Sequence, residues 1–209
     1  METGHPSKRL LAAYALGRAT EGAELAVSAH LTYCAACRAE VARLEALAGA
    51  LVETEGPEGE PDLEAALARL DDAETEGAAP APLRRGPLPA PVAAAVGMNF
   101  DEIPWRFRLP GVHEYSFRNE EGESVSLLRV RPGAAIPQHT HEAEELTVVF
   151  DGELVDGDRR YGPGDVAFAD PSVDHHPRAG GDRPCICLAV LSGGLTFTGR
   201  FGRALNLFS

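Results

Sequence analysis

The sequence predicts a multidomain α + β protein, a small helical bundle followed by a strand-rich half, and three observations carry that reading. The first ninety residues are rich in Ala, Leu and Glu, with apolar positions at helical spacing. Residues 71–91, DDAETEGAAPAPLRRGPLPAP, then lose all periodicity and read as a semi-extended tether. Beyond residue 97, alternating segments such as Val125 to Val130 lie between turn glycines, the pattern of strands. The expected division is a helical domain over 1–75, a Pro/Ala-rich linker over 76–97 and a second domain over 98–209.

Four helices are expected in the first part. Pro6 suits a first helical position, and Leu10, Leu11 and Tyr14 line one face up to a stop at Gly17. Thr20 can cap a second helix through Leu25 to about His30. A third runs from Cys34 to Val52, with Cys37, Val41, Leu44 and Leu51 along one stripe. Pro61 and Asp62 open a short fourth helix carrying Leu63, Leu67 and Leu70 at i, i+4 and i+7. That last stripe fits either packing on the bundle or a partner-binding face.

The charge balance excludes some functions. Lys plus Arg is 19 against 32 Asp plus Glu, a net charge of −13 shared by both halves. Such a surface repels phosphate, which argues against direct nucleic-acid binding and suits a basic partner. No apolar run reaches the roughly 20 residues of a membrane helix. The start, METGHPSKRLLAAYALG, has no long apolar stretch followed by a cleavage site, so no signal peptide is expected. Four cysteines in two close pairs do not form a secreted disulfide framework, and a cytoplasmic protein is expected.

Two clusters carry chemistry. HLTYCAACR holds His30-x3-Cys34-x2-Cys37, with both thiols at the start of a helix, where the positive end favours thiolate. Structural zinc takes four N or S ligands, and His5 is the best candidate for the fourth. A redox dithiol is the competing reading, but a thioredoxin-like motif needs a βαβ context. A small bundle with little core gains stability from a metal that ties its helices together.

In the second half, residues 133–152 read Gly-x5-His139-x-His141-x3-Glu145-x6-Gly. On a strand the two histidines share a face, so two imidazoles and a carboxylate can converge on a divalent ion. This is the first motif of the cupins, and the C-terminal half resembles a cupin, a double-sheet β-barrel. The second cupin motif, placed from Gly164, assigns His175 as a further ligand and leaves its neighbour His176 unmatched. Asp170 and Ser172 replace the family's Pro and Gly, and Ala179 its Asn, with turn chemistry kept in Asp170-Pro171-Ser172.

The combination of an acidic helical domain bearing His5, His30, Cys34 and Cys37 with a C-terminal cupin is similar to the ChrR-type zinc-binding anti-sigma factors. The resemblance implies Zn2+ on His5, His30, Cys34 and Cys37, and a divalent metal, with Zn2+ expected, on His139, His141, Glu145 and His175. It implies a regulator that clamps an extracytoplasmic-function sigma factor in a 1:1 complex. The cupin would loosen that clamp on oxidative stress, by singlet oxygen or organic peroxide. Cys185 and Cys187 match a cysteine pair of that cupin, and either a redox role or two small buried residues fits them. The rival reading is a metal-dependent cupin dioxygenase with an N-terminal zinc module, since three histidines and a glutamate also serve such enzymes.

Overall fold

The computed structural model describes residues 4–55, 62–71, 84–120 and 122–200. Four helices form the first part: α1 (Lys8–Ala15), α2 (Glu21–Tyr33), α3 (Ala35–Glu55) and α4 (Leu63–Asp71). Each start has a local cause. The Ser7 side chain accepts from Leu10 N, Thr20 from Ala23 N and Asp62 from Ala65 N, each satisfying an amide the helix leaves open. Pro6 therefore precedes the cap rather than occupying the first helical position. α1 ends at Leu16, and Gly17 follows at φ +61°.

The bundle's own core is small: Leu11, Val27, Cys37 and Val41, with Leu10, Tyr14 and Leu44 packed around it. The stripe expected on α3 holds only over its first half. Leu51 is 62% exposed, and Leu47 and Val52 beside it are also exposed, because α3 continues past α1 and α2 with nothing against it among the described residues.

The tether expectation needs correction. Residues 72–83 lie outside the described residues, but Ala90–Val96 is a helix, α5, with Val92, Ala93 and Val96 buried. Pro at its first turn and Gly97 at φ +71° bound it. Its small apolar side chains fill the space between α2 and the barrel.

The barrel has three antiparallel sheets. The largest has six strands in the order β1 (Arg106–Leu109), β2 (Val112–Glu120), β3 (Glu123–Val130), β10 (Cys185–Ser192), β5 (Glu145–Asp151), β8 (Val166–Ala169). Opposite lie the pair β4 (His139–His141) with β11 (Leu195–Phe197), and the trio β7 (Arg159–Tyr161), β6 (Leu154–Asp156), β9 (Arg178–Ala179).

Alternation along the central strands separates two compartments. Leu188 pairs with Leu127 and Val148, and Val190 with Val125 and Leu146. These side chains face outward, onto Ala23, Ala26 and Ala29 of α2 and onto α5, in the largest core cluster. The alternate residues Cys185, Cys187, Val149 and Val130 face into the barrel. Both faces of the sheet are thus covered, and CICLAVL accordingly reads as a continuous apolar run. Gly22 of α2 lies so close to the sheet that a Cβ there would stand 2.7 Å from Val190 Cγ1. Leu188→Ala is expected to destabilise the whole chain by about 2–5 kcal/mol, measured by urea unfolding, because Leu188 is fully buried between the layers.

Polar contacts fix the same docking. Glu123 accepts from Gly22 N (2.8 Å) and from the Thr20 hydroxyl (2.5 Å) at the N-terminus of α2, where a carboxylate also meets the helix dipole. Arg118 pairs with Glu21. Gly4 bridges to Val166 on the free edge of β8, covering an edge that would otherwise be open to pairing.

Candidate metal centres

The N-terminal cluster joins three places in the chain. His5 precedes α1, His30 lies in the last turn of α2, and Cys34 and Cys37 sit at the break between α2 and α3. One ligand atom from each lies within 4.8 Å of all the others. His5 Nδ1 is 3.6 Å from Cys34 Sγ and 3.5 Å from Cys37 Sγ. A tetrahedral zinc with Zn–N near 2.05 Å and Zn–S near 2.3 Å would set N and S about 3.6 Å apart, so the donor spacing fits the ion.

His30 is oriented for the same role. Its Nδ1 is 2.6 Å from the Gly164 carbonyl, so Nδ1–H donates and Nε2 keeps a lone pair. That Nε2 is buried with no hydrogen-bond partner. Burial also holds the His30 pKa below its ordinary value, favouring the neutral ligand form. The Cys37 amide points at Cys34 Sγ (3.4 Å), a backbone donor suited to a thiolate.

The second cluster stands between the two walls of the barrel. β4 carries His139 and His141 on one buried face, β5 begins at Glu145, and the loop before β9 carries His175. His139 and His175 exchange both backbone hydrogen bonds across an antiparallel bridge, at 3.0 Å each. Their side chains meet: His175 Nε2 is 3.0 Å from both His139 Nε2 and His141 Nε2. Glu145 Oε2 is 3.0 Å from His141 Nε2 and 3.7 Å from His175 Nε2. Two nitrogens bound at about 2.1 Å and at right angles would lie about 3.0 Å apart, as around a five- or six-coordinate ion.

Outer contacts set the tautomers. The Pro137 carbonyl takes His139 Nδ1–H at 2.7 Å, and Asp156 holds His175 Nδ1 at 2.8 Å. Thr147 donates to Glu145 Oε1 (3.1 Å), leaving Oε2 buried and without a hydrogen bond. Burial lowers His139 and His141 to about 4, so both are neutral at pH 7. Burial also opposes charge on His175, but the bond to Asp156 and its charge outweigh this and raise it. Burial pushes Glu145 upward, an effect that a cation among these donors would offset.

Above this cluster opens a cavity of about 540 Å³, reached by His139 and Glu145 and lined in part by Arg108, Ser124, Ser126 and Thr196. The pair Cys185 and Cys187 faces into the barrel and is fully buried. A hydrogen bond with Cys185 and then burial push the Cys187 thiol well above its usual range, which keeps it protonated and weakly nucleophilic. That environment favours packing over redox chemistry.

Leu63 and Leu67 are 66% and 51% exposed on α4, and the side chain of Leu70 lies outside those described. Sequence reasoning missed Asp156 and Gly164, whose roles arise from contacts that no local spacing announces. It also missed the exposure of Leu47, Leu51 and Val52, which only the length of α3 relative to its neighbours reveals.

Comparison with known proteins places both halves. Residues 93–193 match the ChrR cupin-like domain family, and residues 7–38 match a zinc-finger family. The chain is 37% identical over 198 residues to the anti-sigma-E factor ChrR of Cereibacter sphaeroides, covering 92% of this chain and 91% of that one. Among solved structures, it resembles the complex of Rhodobacter sphaeroides SigE with the anti-sigma ChrR. That match has 34% identity and a TM-score of 0.77, covering 90% of this chain and 98% of that one. At this identity over nine-tenths of both chains, the chain belongs to the ChrR family of anti-sigma factors.

Proposed function

We propose that the helical module binds and inhibits an extracytoplasmic-function sigma factor, and that the cupin domain releases it on oxidative stress. The observation that carries the reading is the match, over nearly the whole chain, to a ChrR solved in complex with SigE. The family is one of regulators, and the dioxygenase reading is set aside. No helix among the described residues is long and apolar enough to cross a membrane.

The N-terminal zinc lies on His5, His30, Cys34 and Cys37, a set whose donor spacing suits a tetrahedral ion. His139, His141, Glu145 and His175 hold one divalent cation. When bound, that cation supplies an electrophilic centre at the floor of the cavity. The chain's own residues hold three imidazoles and one carboxylate toward it and shield them from bulk water.

Sigma binding falls on the exposed apolar side chains Leu47, Leu51 and Val52 of α3 with Leu63 and Leu67 of α4. Large apolar side chains left open on two helices of a module with so small a core support an interface. Leu67→Glu, and separately Leu51→Glu, is expected to weaken sigma binding at least tenfold while zinc content stays unchanged. Pull-down against extracytoplasmic-function sigma factors of the source organism, with zinc measured in the same samples, tests it. Loss of zinc and solubility together would return these leucines to a packing role.

A further inference from the structure

We infer that the cupin turn Gly162–Val166 is the outer support of the N-terminal metal cluster, so that the barrel sets the zinc affinity of the helical module. The inference rests on the zinc reading of that cluster.

The two cysteines lie on the helical module, whereas His30 is bonded to the barrel directly and His5 through the residue before it. His30 Nδ1 donates to the Gly164 carbonyl at 2.6 Å, which fixes the tautomer with Nε2 available to a metal. His5 follows Gly4, whose carbonyl accepts from Val166 N at 3.0 Å. The support is itself rigid. Asp165 Oδ2 accepts from Gly162 N (2.8 Å), and Asp165 N donates to the Gly162 carbonyl (2.9 Å). Gly164 sits at φ +95°, and a Cβ there would lie 2.6 Å from Tyr33 Cβ. Only glycine allows α2 to approach this turn so closely.

The same turn is tied to the other centre. Gly164 N donates to the Val149 carbonyl (2.8 Å), and Val149 N to the Asp165 carbonyl (3.1 Å). β5 runs from Glu145 to this contact, and β8 runs from it back to Ala169, opposite Glu145, where the loop to His175 begins. Two paired strands, about 13 Å long over four residues, thus have the turn at one end and at the other the cupin ligand Glu145 and the start of the loop that carries His175. A shift of Glu145 along these strands moves the carbonyl that orients His30. Coupling of this kind is reciprocal: what the cupin centre does to zinc binding, zinc does to the cupin centre.

The test uses the full chain loaded with zinc and a chromophoric chelator competing for it. Gly164→Ala and Asp165→Ala are expected to lower the affinity of the zinc that depends on Cys34 at least tenfold. Secondary structure and the second ion should be retained. Equal affinity in the wild type and both folded variants would overturn the inference. An observation on the unmodified protein stands beside it: nitrogen-15 NMR should show His30 protonated at Nδ1 and hydrogen-bonded in the zinc-loaded chain. A His30 protonated at Nε2 would refute the inference even if both variants failed to fold. The zinc reading fails separately, if Cys34→Ser leaves the bound zinc unchanged.

Discussion

Cys37→Ser in the full chain is expected to lose the N-terminal zinc and unfold the helical module with it. The side chain is 6% exposed and does two things, closing the metal cluster and joining Leu11, Val27 and Val41 in the bundle's small core. α2 is also docked on the barrel, but the four residues of the bundle's own core bury too little apolar surface to hold α3 to it. Structural zinc supplies the difference, at about 10–16 kcal/mol of apparent binding free energy in small domains near pH 7. Serine keeps the size of the side chain but not the thiolate, so the loss would be one of metal rather than of packing. Elemental analysis should fall by one zinc per chain, and far-UV circular dichroism should lose helix while the barrel's strand signal persists. Sigma inhibition should disappear in the same variant. A Cys37→Ser chain that is zinc-free, fully helical and still inhibitory would refute a structural zinc at this site.

Three residues of each cluster were legible because their spacing is local, while His5 came from the ligand count and His175 from the second cupin motif. His30, Cys34 and Cys37 fall within eight residues, and His139, His141 and Glu145 within seven, so periodicity alone brings them to one face or one helix end. The Thr20 cap was legible for the same reason. What escaped was the relation between the halves. The alternation of Val125–Val130 points to a barrel with an inside and an outside. Whether the outside meets water or a helix depends on Leu127, Val148 and Leu188 being matched by Ala23, Ala26 and Ala29 more than a hundred residues away along the chain from Leu188. The unbroken apolar run CICLAVL held that signal, since a strand facing water on one side would alternate. α5 escaped because a seven-residue helix, even one rich in Ala, is too short to stand alone and is stabilised by the space it fills. Asp156 and Gly164 follow from the fold rather than from any motif: one meets His175 across the barrel, the other meets His30 across the interface.

His141→Ala is expected to leave the sigma factor bound but unresponsive to oxidant. His141 is 5% exposed and its Nε2 stands 3.0 Å from both Glu145 Oε2 and His175 Nε2, so its removal takes one of four donors from the centre. Losing one of four ligands weakens the hold on the cation, and without the cation nothing offsets the burial that pushes the Glu145 carboxyl upward. The helical module should keep its zinc, because His5, His30, Cys34 and Cys37 share no ligand with the cupin centre, and the coupling through the Gly162–Val166 turn changes the affinity of that site without emptying it. Repression in the unstressed state should therefore persist. Induction requires that oxidation change the relative stability of the clamped and released states, and a centre that no longer holds its metal has no such difference to offer. A sigma-dependent reporter should accordingly stay at its uninduced level in His141→Ala under an oxidant that induces the wild type, with metal analysis showing one divalent ion fewer per chain. His141→Gln, which keeps more of the side-chain volume, should behave in the same way if the metal rather than packing carries the signal. Full induction in a variant shown to have lost the cupin ion would place the sensor elsewhere in the chain.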